Sequence, residues 1–188
     1  SLGLFKNFND NLWETSVEGY FRYLDKAIDY KDFALLAANE HIETELLQGV
    51  GRTYGLELGI KKNEGILNGQ LAYTYSRAQS QTEGINRGLW YRANYDKPHE
   101  LSLILNWQPN KRNTIVLNFN YATGRPITAP VSRYTLAGQY NVLEYSQRNS
   151  LRIPDYHRLD LAYTIDRGYN KTKKFRSSWT FSLYNLYG

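Results

Sequence analysis

The stretch His157–Ile165, HRLDLAYTI, decides the fold class. Leu159, Leu161, Tyr163 and Ile165 recur at every second position, with Arg158, Asp160, Ala162 and Thr164 between them. Successive side chains of a strand point to opposite faces, so this spacing predicts a β-strand with one apolar and one polar face. Working outward, the same alternation predicts strands at about 13–24, 50–62, 66–77, 99–108, 113–122 and 173–186. In the first, Val17, Gly19, Phe21 and Tyr23 oppose Glu14, Ser16, Glu18, Tyr20 and Arg22. In the second, Tyr54, Leu56, Leu58 and Ile60 oppose a column holding Gly51, Gly55 and Gly59. Glycine weakens a strand interior, so that column calls for a curved wall or for bulky groups backed against it.

The connections alternate long and short. Asn63–Gly65, Pro109–Arg112 and Gly168–Thr172 read as tight turns, while 25–48, 78–97 and 124–156 are long. Residues 32–47 of the first long connection carry a helical turn or two at most, and Pro126, Pro130 and Pro154 oppose a regular strand in the third.

The composition narrows the chemistry. The 188 residues suffice for one domain. Cys is absent, so disulfides, thiol nucleophiles and thiolate metal sites are excluded. His41, His99 and His157 lie far apart and form no metal motif. No cofactor is expected. The net charge of +5 is scattered, which gives no stripe for nucleic acid. The chain begins at Ser1, contains no Met and shows no leader, as expected of an internal or processed piece of a longer chain. No apolar run approaches the roughly 20 residues of a transmembrane helix, but a membrane barrel needs only alternate apolar residues.

Taken together, these features predict an all-β, antiparallel transmembrane β-barrel segment. Short periplasmic turns and longer outer loops characterise such barrels, and strands of 10–13 residues suit a tilted membrane crossing. Trp13, Trp107 and Phe175 gather near the short-turn end, and Tyr23, Tyr54, Tyr75 and Tyr121 near the other, as two interfacial girdles would. A soluble barrel carrying an apolar ligand shows the same alternation with its faces reversed. A passive porin or an adhesin is a further alternative.

Several stretches carry a family resemblance: GVGRTYGLELGIKK (49–62), LAYTYSRA (71–78), YDKPHELSL (95–103), NYATGRPIT (120–128), RNSLRIPDYHRLDLAY (148–163) and SLYNLYG (182–188). In this order they resemble the C-terminal barrel part of TonB-dependent outer-membrane receptors of the Bacteroidota type. The resemblance implies about seven strands of a 22-stranded barrel around a plug. It implies energy-coupled uptake of a large nutrient (glycan, peptide or iron chelate) across the bacterial outer membrane, and no catalysed reaction. The implied partners are outer-membrane lipid, the TonB complex, a plug domain of the same full-length chain and a surface lipoprotein. No plug or TonB box lies in these residues, and the strand that usually follows an SLYNLYG-like segment is missing.

The candidate ligand residues are Trp90, Tyr91, Arg125 and Tyr134. Trp90 and Tyr91, with Tyr95, and Tyr134, with Tyr140 and Tyr145, supply rings that stack on sugars or pack the loops together. Arg125, in Gly124-Arg125-Pro126, either meets an anionic group or is a solvated turn residue. Arg148, Arg152 and Arg158 with Asp155 and Asp160 form a charged set around the start of the HRLDLAYTI strand. Glu57, Glu100, Arg158 and Asp160 fall on polar faces as a charge ladder inside the barrel, fixing register or touching the plug. A paired-carboxylate hydrolase built on Glu57 and Glu100 has no spacing to support it.

Overall fold

The computed structural model describes residues 1–37, 39–136, 140–167 and 177–187. Its main sheet is antiparallel and meanders in chain order. Eight strands form the path: β1 (Leu2–Phe8), β2 (Trp13–Tyr30), β3 (Leu46–Lys62), β4 (Leu67–Thr82), β6 (His99–Asn110), β7 (Asn113–Ala122), β12 (Tyr156–Asp166) and β13 (Ser178–Leu183). A two-residue strand, β5 (Tyr91–Arg92), joins β4 from the side. The all-β, antiparallel expectation therefore holds. Among the described residues the sheet is open, with β1 and β13 at its edges.

The alternation becomes a register. One row of the apolar face runs Leu4–Val17–Leu58–Tyr73–Leu101–Tyr121–His157, and the next holds Ile60, Leu71, Leu103, Phe119 and Leu159. The pairing is staggered: the row that starts at Trp13, first residue of β2, meets β12 in mid-strand at Leu161. Such stagger is what tilted strands produce.

This apolar face has no core opposite it. Leu4 is 76 % exposed, Phe21 65 % and Phe181 59 %. A Leu or Phe left in water forgoes about 1.5–3 kcal/mol of burial. The buried hydrophobic residues, Ala78, Ile85, Tyr91 and Ala93, lie instead at the long-loop end, within or beside the 83–98 connection.

Two glycines of the β3 column are explained locally. A Cβ on Gly55 would come within 2.7 Å of the Tyr20 hydroxyl, and one on Gly59 within 2.5 Å of Ser16 Oγ. Tyr20 on β2 lies across the space a side chain would need, so the bulky groups are the neighbouring strand's own.

Several boundaries differ from the sequence expectation. β1 was not anticipated; its alternation is interrupted by Lys6, and it turns through Asn9, Asp10 and Asn11, all at positive φ, which Asn and Asp tolerate. β2 continues past Leu24 because an irregularity between Leu24 and Ala27 absorbs Asp25 and Lys26. β6 keeps Pro109 and Asn110, with a register shift after Trp107. Gly65 turns the chain between β3 and β4 at φ 106°. The prolines of the third long connection do not exclude strands: Pro126 opens β8 (Pro126–Ile127) and Pro130 opens β9 (Pro130–Leu136). Proline is tolerated as a strand's first residue. β8 pairs with β11 (Leu151–Arg152), and β9 with β10 (Tyr140–Tyr145). The expected turn at 168–172, the start of the last strand at Lys173 and the girdle residue Phe175 lie outside the described residues.

Candidate functional site

All three long connections (31–45, 83–98 and 123–155) leave the same end of the sheet and meet there. Arg148 ties the third to the first. It reaches Asp29 Oδ1 at 3.0 Å and Asp32 Oδ1 at 2.8 Å, and donates to the Tyr30 carbonyl at 2.8 Å. The Arg148 backbone is held by Asn86, whose side chain accepts from its N–H at 2.8 Å and donates to its carbonyl at 3.2 Å. Asn149 ties the third connection to the second, donating to the Arg92 carbonyl at 2.7 Å and to Asn94 Oδ1 at 2.8 Å.

A second knot lies beneath. Asp96 is buried; one carboxylate oxygen accepts the Ala78 N–H at 2.8 Å, and the other takes the Arg152 guanidinium, with Arg77 at 3.7 Å. Arg152 also donates to the carbonyls of Asp96 and Gly124. Gly124 fits because a Cβ there would collide with the Ile153 backbone. Its N–H donates to Asp155 Oδ1 at 2.9 Å. Tyr121 donates to the other oxygen of Asp155, and these two donors hold the Asp155 carboxyl below its usual range, the Tyr121 bond first.

Around the first knot the three connections line an open cavity of about 770 Å³, with Arg148 and Asn149 in its wall. Phe33 from the first and Tyr145 from the third meet edge to face at its wall, ring centroids 5.7 Å apart. Asn94, Arg87 and Gln147 add polar groups. Phe33, Asn86, Arg87 and Asn149, all lining it, have positive φ between 47° and 59°. For Phe and Arg this conformation costs about 1–2 kcal/mol each, and it persists only where surroundings impose it. Ring faces beside amide and guanidinium donors suit a polar ligand with apolar faces, such as a sugar or a peptide.

The expected site residues scatter. Tyr91 takes the second of its two expected roles: it is 4 % exposed, and its hydroxyl bonds Thr82 at 3.1 Å and donates to Asp29 at 2.7 Å. Burial, first, pushes its phenol up to about 12. It packs the loops and offers no ring to a ligand. Trp90 lies against the Arg52 guanidinium, 4.1 Å from ring centroid to Cζ, and is not part of the cavity lining. Tyr134 stands exposed on the β9–β10 hairpin opposite Val142, and Arg125 is exposed at the start of the third connection. The charged set divides. Arg148 and Arg152 bind acids of other segments, leaving Arg158 with Asp160 at 2.9 Å. Glu57 and Glu100 share a row of the polar face with Thr74 between them, and Lys97 lies 3.4 Å from Glu100.

Phe33, Arg87, Asn94 and Gln147 were not anticipated. They lie in aperiodic segments far apart in sequence, and no local signal joins them. Among the described residues no group of His, Cys, Asp and Glu is arranged for a metal. No known protein family, no curated protein and no solved structure matches this chain.

Proposed function

We infer that this chain forms wall strands and outer loops of an outer-membrane β-barrel, serving a TonB-dependent receptor that imports a large nutrient. The observation that carries the barrel reading is the uncovered apolar face. From Trp13 to Tyr23 on β2 its strand steps number ten. At about 3.3 Å each and a tilt of about 40°, they rise about 25 Å, the height of an outer-membrane apolar band. On β2 to β12 the apolar-face rows that start at Thr15, Val17 and Gly19 hold no Asp, Glu, Lys or Arg, and Arg77 stands in the next row towards the loops, opposite Tyr54. Lys6 on β1 turns its ammonium over the Phe8 ring, and Lys62 turns its own over Trp13, both at the short-turn end. The long connections sharing one end support an outward loop face. The TonB-coupled part of the reading rests on the sequence resemblance, and the cavity among the loops is where nutrient contact is expected.

The test is heat-modifiable gel migration in detergent of the full-length protein and of this chain alone. A shift of the full-length protein without one for the chain alone supports an incomplete wall. A shift of the chain alone would mean a small self-closing barrel and overturn the receptor reading. A monomer folded in buffer without detergent would overturn the membrane reading and favour a soluble carrier.

A further inference from the structure

The loop-end margin of the apolar face carries charges that the function above does not use. Arg52 on β3, Gln79 on β4 and Arg92 on β5 form one register row, so all three side chains leave the same face. Tyr23 on β2 belongs to that row, and Tyr54 pairs with Arg77 in the row two residues below. Neighbouring strands lie about 4.8 Å apart, so the three arginines share a patch about 10 Å across.

Their existing bonds leave this positive charge largely uncompensated. Arg52 donates from Nε to Gln79 Oε1 at 2.8 Å and stacks on Trp90. Arg92 donates to the Ser150 carbonyl at 2.9 Å. Among the described residues neither has an ion pair of its own. Arg77 shares Asp96 with Arg152, so one carboxylate serves two guanidiniums. Stacking on an indole and bonding to an amide fix the Arg52 plane without neutralising it.

Position supplies the ligand. The patch adjoins the Tyr23, Tyr54 and Tyr75 belt, at the level where headgroups would stand if the apolar face meets lipid. Guanidiniums bind phosphate through paired N–H donors, and basic residues on an outward face are tolerated near the interface but not at mid-bilayer. Resting on the barrel reading, we propose that Arg52, Arg92 and Arg77, braced by Trp90 and Gln79, bind the phosphate of an anionic lipid in the loop-side leaflet. The acyl chains of that lipid lie down the adjoining apolar rows.

The test uses the full-length protein reconstituted in vesicles of phosphatidylcholine mixed with phosphatidylglycerol. It is re-extracted in mild detergent, and retained lipid is identified by native mass spectrometry. The wild type is expected to retain phosphatidylglycerol in preference. Arg52→Gln and Arg92→Gln are each expected to lower that preference about fivefold, the equivalent of about 1 kcal/mol per basic group. Arg77 is left in place because it helps hold Asp96. Arg52→Lys keeps the charge but loses the planar stack, and is expected to fall between. Heat-modifiable migration of each variant checks that it is folded. A wild type that inserts without preferring the anionic lipid overturns this inference alone; one that does not insert overturns the barrel reading with it. Displacement of the retained lipid by inorganic phosphate would assign the patch to free phosphate instead.

Discussion

Tyr91 shows how a single side chain serves this molecule. Its ring is buried beneath the loops and its hydroxyl joins Thr82 to Asp29, which also holds Arg148. Because the folded protein raises the phenol pKa to about 12, the folded state keeps the proton where the unfolded chain loses it. Its contribution to stability is full below about pH 10 and is lost as pH rises towards 12. Tyr91→Phe removes the titration and the two hydrogen bonds. The variant is expected to start about 1 kcal/mol less stable at neutral pH and to lose less stability than the wild type in alkali, so that the gap narrows and then reverses. Thermal midpoints of both proteins across that range check this; parallel curves would count against the assignment.

The connections behave as one element because arginines bind them across long sequence separations. Arg148 is 14 % exposed and meets Asp29, itself little exposed, together with the more exposed Asp32. Removing one member of a buried pair costs about 3–5 kcal/mol, and the partial exposure here lowers the expectation for Arg148→Ala to about 2 kcal/mol. The loss should fall on the junction of the 31–45 and 123–155 connections, while the β2–β3–β4 ladders stay intact. Limited proteolysis of the detergent-solubilised protein is expected to show faster cleavage within 31–45 without loss of heat-modifiable migration. The β9–β10 hairpin differs: most of its side chains are exposed, and a two-stranded hairpin by itself is only marginally stable.

At the scale of the whole molecule, the two faces of the sheet predict opposite responses to one substitution. Leu103 lies mid-strand on the apolar face between Leu71 and Phe119, whereas Ser102, its neighbour, lies between Ala72 and Asn120 on the polar face. Leu103→Arg is expected to cost about 2–4 kcal/mol in a bilayer and to reduce the yield of folded protein on refolding into lipid vesicles. Ser102→Arg is expected to leave that yield near wild type. Equal losses would mean that neither face meets lipid, and the reverse order would put the apolar face inside.

Alternation is a local property, repeated every two residues, and it was therefore legible before any contact was known. HRLDLAYTI, the Leu-rich face of His99–Gln108 and the long-short rhythm of connections were enough for the strand class, the antiparallel order and which residues share a face. β1 escaped because it is short, carries Lys6 on the apolar side and has few periods to read. The continuation of β2 escaped because Asp25 and Lys26 resemble a turn, whereas pairing with β3 carries the strand through an irregularity. The loop-end site was invisible for a different reason. Asp29 and Arg148 stand 119 residues apart, and only the meander brings their connections to one end. Backbone pattern is encoded by neighbours along the chain, so sequence sufficed for strands and faces. Which guanidinium meets which carboxylate, that Tyr91 is buried, and where Phe33 and Tyr145 line a cavity depend on contacts between distant segments, and only the folded sheet decides them.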